Sequence, residues 1–248
     1  MKKFFLTGIS FIILALIVFL YKENIVGAKN IPEEIKSSAV YAYVPKGAVL
    51  YDRIDGKSID LILSESKVEI LQDKSEKWYF VRYKNKTGWV KGVTLLIPKD
   101  RSTNTAKLSD EFIEDYANRS FKSETRHFIW VDIDRQYIYV LNKDENKWAI
   151  EKRIICATGK NVTPTIRGDF KIGDKGEWFY SERLGSGAKY WVRISGSYLF
   201  HSVAMDKEKK IIDGIVGQRR SSGCVRMKVE DAKWFYENIE KGSSVWIY

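Results

Sequence analysis

Between residues 39 and 98, apolar and polar positions alternate in short runs separated by turn-forming residues. Residues 40–44, 49–51, 68–71, 78–83 and 87–90 are rich in Val, Ile, Tyr, Trp and Phe, and Asp55-Gly56 and Lys84-Asn85-Lys86 lie between them as turns. A period of two in such residues predicts strands, and their close spacing predicts one compact all-β module over 39–98. The chain then turns polar over 99–125. There Ser109-Asp110 precedes Phe112-Ile113 and Tyr116-Ala117, a capping residue followed by an apolar pair that recurs every fourth position. This predicts a linker with one short helix.

From Arg126 the β pattern resumes. Strands are expected at 128–130, 137–141, 148–157, 169–172, 177–180, 190–194, 198–201 and 225–227, with a polar turn at Asp134-Arg135. A helix over 229–240 would carry Ala232, Phe235, Tyr236 and Ile239 on one face and stop at Gly242, before a closing strand at 244–248. The expected fold class is mainly β: a small barrel over 39–98, then a β-sandwich or barrel over 126–248 carrying one main helix.

The amino end has a different pattern. Lys2 and Lys3 precede an apolar run from Phe4 to Leu20, broken only by Thr7, Gly8 and Ser10, and the run ends at Tyr21-Lys22-Glu23. As a helix it would extend about 26 Å, enough to cross a bilayer, and the two lysines would hold its start in the cytoplasm. We read residues 1–28 as an uncleaved transmembrane anchor, with Val26-Gly27-Ala28 as the small-residue site if the segment is instead a cleaved signal. Either way the remainder is expected on the extracellular face of the membrane.

Composition narrows the function classes. The chain has 248 residues, is 44% hydrophobic and contains eight Trp, which excludes a disordered protein. Its formal charge of +10 is spread along the chain, so no nucleic-acid arm is present. The diffuse positive field suits either residence beside an anionic wall polymer or lipid, or plain solubility. The two cysteines, Cys156 and Cys224, form neither a metal-like pair nor a Cys-x-x-Cys turn. No metal or other cofactor is expected, and a monomer is.

A thiol that attacks a carbonyl needs a base within hydrogen-bond reach and donors aimed at the oxyanion. Ser221-Ser222-Gly223-Cys224-Val225-Arg226 sets a cysteine after a glycine that frees the backbone to turn, so the N–H groups of Gly223 and Cys224 are candidate oxyanion donors. Cys156 lies in an apolar strand and reads as core. Of the two histidines, His201 ends the apolar strand Tyr198-Leu199-Phe200 and suits a cleft, whereas His127, beside Arg126, has no such context. Both precede Cys224, which excludes the papain-like order.

Phe200-His201-Ser202 followed by Ser221-Ser222-Gly223-Cys224-Val225-Arg226-Met227 resembles the catalytic domain of the L,D-transpeptidases, the YkuD type. Thr163-Pro164 with Gly168-Asp169-Phe170 resembles that family's upstream elements. The stretch from Trp78 to Val90 is similar to the last strands of bacterial Src-homology-3-like domains, which implies either wall-peptide binding or a rigid spacer. The transpeptidase resemblance implies a cysteine acyltransferase acting on peptidoglycan stem peptides and forming 3→3 cross-links through a thioester on Cys224. It also implies that His201 is the base, that the backbone carbonyl of Ser202 orients it, and that an imidazolium depresses the Cys224 pKa. Ser221, Ser222 and Arg226 would face the substrate, with a loop-holding salt bridge as the other role for Arg226. Ser222 stands where the family often has histidine. An inactive wall-binding scaffold and an L,D-carboxypeptidase are the alternatives.

Overall fold

A computed structural model describes residues 31–248; the expected anchor at 1–28 lies outside them. Among the described residues no helix is long and apolar enough to cross a membrane. Residues 36–248 form one compact unit.

Its first part is a six-stranded sheet: β1 (Val40–Val44), β2 (Ala48–Tyr51), β3 (Ser58–Ile62), β4 (Ser66–Lys74), β5 (Trp78–Tyr83) and β6 (Lys86–Lys91), in the order β1-β4-β5-β6-β2-β3. The alternation works as a strand pattern should. Val40, Ala42, Val44, Val68, Ile70, Tyr79, Val81 and Val90 turn inward and form a core of their own. β3 was not apparent in the sequence because Ile59 and Leu61 remain exposed at the sheet edge, so its apolar residues do not mark a buried face.

The segment 99–125 carries α1 (Asp110–Ser120), whose first free N–H groups are relieved by Ser109: its Oγ accepts from the Phe112 N–H at 3.2 Å. This segment is more than a connection. Ile113, Tyr116 and Ala117 are buried, and the Tyr116 ring packs against Trp130 and Trp246.

The remaining strands are β7 (His127–Asp132), β8 (Tyr137–Asp144), β9 (Lys147–Ala157), β10 (Gly168–Lys171), β11 (Lys175–Ser181), β12 (Ser186–Ser195), β13 (Tyr198–Ser202), β14 (Ala204–Met205), β15 (Ile211–Asp213), β16 (Val225–Met227) and β17 (Ser244–Ile247). They form an eleven-stranded sheet in the order β10-β17-β7-β8-β9-β16-β13-β12-β14-β15, with β11 paired to β12. β7 is buried on both faces. Ile129 and Val131 join the main core with Ala232 and Phe235 of α2 (Val229–Asn238), while Phe128 and Trp130 meet the aromatic layer under α1. Both expected helices are present, and α1 does more than connect: it supplies the cover that the even-numbered face of β7 needs.

Candidate active site

β13 and β16 run parallel and adjacent, with Phe200 opposite Val225 and His201 opposite Arg226. Side chains alternate along a strand, and Phe200 and Val225 are both fully buried in the core. His201, Arg226 and Cys224, one residue to either side of those core positions, are thereby directed to the other face. There they line a cavity of about 400 Å³ together with Ser221 and Ser222.

The loop before β16 is held from within and from outside. Ser221 Oγ donates to the Cys224 carbonyl at 2.5 Å and accepts from the Gly223 N–H at 3.1 Å. Gly223 adopts φ +110°, and a Cβ there would come within 2.8 Å of Tyr198 Cε1, so only glycine fits. Since the Gly223 N–H is already engaged by Ser221, one of the two expected oxyanion donors is occupied in this structure.

His201 is 5% exposed, and its Nδ1 lies 2.5 Å from the Ser202 carbonyl oxygen. That oxygen can only accept, so Nδ1 carries the proton and Nε2 is left with a lone pair. The Phe179 ring meets the imidazole edge-on at 5.3 Å. Burial drives the His201 pKa down to about 4, the Ser202 carbonyl opposing this and the Arg226 charge adding to it. The Cys224 thiol donates to the Ser197 carbonyl at 3.6 Å, and burial pushes its pKa above the usual thiol value despite the Leu199 backbone and Arg226. Both shifts disfavour the charged forms, so burial opposes the expected thiolate–imidazolium pair and favours a thiol beside a neutral imidazole.

Arg226 forms an ion pair with Asp213 at 3.1 Å, and Asp213 also accepts from Arg220 at 2.8 Å. The Nε of Arg226 is buried without a hydrogen-bond partner. His127 is elsewhere, fully buried, with its ring nitrogens 2.6 Å from Glu240 and 2.9 Å from Glu151. Cys156 is fully buried in β9 opposite Met227. Trp178, Phe179, Arg183, Trp191 and Arg193 complete the cavity wall. These were not singled out from the sequence; the density of Trp, Tyr and Arg over 178–193 is the signal that could have found them.

A mainly β scaffold that exposes a half-buried cysteine, a buried histidine and three arginines in one cleft defines a candidate thiol acyltransferase. Residues 126–247 match the L,D-transpeptidase catalytic domain, YkuD. YciB of Bacillus subtilis (strain 168), named for the same family, is 34% identical over 152 residues, covering 57% of this chain and 76% of YciB. The chain belongs to the YkuD L,D-transpeptidase family. Among solved structures, a fused Zn-dependent amidase/peptidase/peptidoglycan-binding domain-containing protein from Clostridium acetobutylicum aligns at 31% identity and TM-score 0.48, over 59% of this chain and 66% of its own. An L,D-transpeptidase from Stackebrandtia nassauensis aligns at 21% identity and TM-score 0.41, over 52% and 58% respectively.

Proposed function

We propose that this protein is a cysteine L,D-transpeptidase that forms 3→3 cross-links between peptidoglycan stem peptides. The observation that carries the reading is the sharing of one cleft by Cys224, at the end of the loop leading into β16, and His201 on the neighbouring β13, with the Nε2 of His201 free to take a proton. Cys224 Sγ attacks the carbonyl of the third stem residue, and the thiol proton passes to His201 Nε2 as the S–C bond forms. Collapse breaks the C–N bond, and the proton leaves on the amine of the departing D-alanine. An amine of a second stem then attacks the thioester; its C–N bond forms, the C–S bond breaks, and the amine proton returns through His201 to the sulfur.

The Cys224 N–H serves as the principal oxyanion donor, since the Gly223 N–H is bonded to Ser221. Arg183, Arg193 and Arg226 give the cleft a positive lining suited to stem carboxylates, and the unpartnered Nε of Arg226 is a ready donor. Residues 1–28 would tether the enzyme at the outer face of the membrane, 39–98 would act as a Src-homology-3-like domain against wall peptides, and 126–248 would hold the chemistry.

The test is incubation with a carbapenem followed by intact-mass analysis, and muropeptide analysis of cells expressing wild type or Cys224→Ala. A covalent adduct at Cys224, and 3→3 linkages that vanish in the variant, are expected. No adduct, or linkages that persist at equal protein level, would overturn the proposal.

A further inference from the structure

The loop that carries Cys224 depends on hydrogen bonds from a second segment, residues 159–167. Thr163 Oγ1 donates to the Ser221 carbonyl at 3.0 Å, and the Lys160 N–H reaches the same oxygen at 3.2 Å. Thr165 Oγ1 donates to the Gly223 carbonyl at 2.8 Å while accepting from the Gly159 N–H at 2.8 Å. The backbone of Ser221 and Gly223, and with it the direction of the Cys224 N–H, is therefore set by where Thr163 and Thr165 stand.

That segment is pinned in turn from outside the catalytic sheet. The Tyr79 hydroxyl, on β5 of the first sheet, donates to the Val162 carbonyl at 2.9 Å, one residue before Thr163. Tyr79 is 2% exposed, and burial, with Asp73 and Glu76 nearby, raises its pKa to about 12, so it remains a donor throughout the neutral range. Glu69 of β4 holds Arg167 at the far end of the segment. Asn161 in the middle donates from Nδ2 to the carbonyls of Pro98 and Lys99 at 3.1 and 2.8 Å, and from its N–H to Asp100 at 2.5 Å. A second route passes through Asp73 of β4, which lies beside Tyr198, the ring that closes on Gly223.

We propose that the six-stranded sheet is a working part of the active site, and that Tyr79 is a positioning residue which fixes the nucleophile loop through Val162 and Thr163. The inference rests on the reading of Cys224 as nucleophile. Misplacing reacting groups by about 1 Å costs on the order of 100-fold in rate, so losing one of several pins should cost less, about 5- to 20-fold. Tyr79→Phe removes the hydroxyl and keeps the packed ring. A pin of this kind acts on the chemical step and leaves ligand affinity alone, whereas a role confined to stability would lower Tm and leave both unchanged below it.

The experiment uses the full-length chain, a carbapenem, and mass spectrometry of the Cys224 adduct over a range of carbapenem concentrations, with hydrogen exchange followed over residues 219–226. For Tyr79→Phe we expect the saturating acylation rate to fall about 5- to 20-fold, the half-saturating concentration to stay within about twofold, and exchange over 219–226 to accelerate. Tyr41→Phe, altered at an exposed position of β1, should match wild type throughout. If Tyr79→Phe does not fold, Glu69→Gln takes its place with the same expectations. Acylation and exchange both at wild-type values would overturn the inference. A wild-type chain that forms no adduct would instead defeat the nucleophile reading, and the exchange comparison alone would then decide whether the first sheet holds the loop.

Discussion

Cys224 should behave as a slow, neutral thiol until substrate arrives. Its pKa is raised from 9.0 by burial, which outweighs the Leu199 backbone and the Arg226 charge. A thiol whose pKa lies above the usual value is mostly protonated at pH 7, and only the thiolate is nucleophilic. Alkylation of Cys224 by iodoacetamide should therefore be slow at pH 7 and still be accelerating with pH beyond the roughly 8.5 at which an ordinary thiol is half ionised. Cys156, fully buried, stays unlabelled, so peptide mass spectrometry can follow Cys224 by itself. A rate that reaches its plateau by about pH 6 would mean a standing thiolate–imidazolium pair and would refute the reasoning. The same burial has a stability consequence. Native His201 takes up its proton only near pH 4, the unfolded chain near 6.5. Between these values the unfolded state binds more protons, so stability is full above pH 6.5 and falls as pH drops towards 4. The gap corresponds to about 3 kcal/mol at most. Urea titrations at pH 7.5 and 4.5 should show a fall for wild type that shrinks by about 2 kcal/mol in His201→Asn; an equal fall in both would sink the argument.

Three further outcomes follow from the geometry. Gly223→Ala places a Cβ against the Tyr198 ring at φ +110°, so it should destabilise the chain by about 1–3 kcal/mol in urea titration and abolish carbapenem acylation below its Tm. His127→Ala leaves Glu240 and Glu151 without their shared partner, costing about 2–4 kcal/mol of stability, yet its acylation rate should stay within about twofold of wild type, which separates the two histidines functionally. Asp213→Asn withdraws the carboxylate shared by Arg220 and Arg226; stem-peptide KM should change more than kcat, and an unchanged KM would mean that Arg226 serves the loop alone.

The local pattern already contained much of this protein. Alternation in β1 and β5 announced strands because their inward residues do end in a core, the apolar run of β13 did so because that strand is buried throughout, and the Ser109 cap announced α1 because a hydroxyl before Phe112 can satisfy an otherwise free N–H. His201 and Cys224 were legible as candidates because so few histidines and cysteines exist in the chain. Tertiary structure decided the rest. Short strands such as β14 and the edge strands β3 and β15 depend on partners rather than on their own periodicity. The pKa shifts of the candidate pair follow from burial that no spacing reveals, and burial works against the expected ion pair. The path from Tyr79 through Val162 to the nucleophile loop joins residues 83 positions apart, and a hydrogen bond across such a distance leaves no trace in the sequence until the chain has folded.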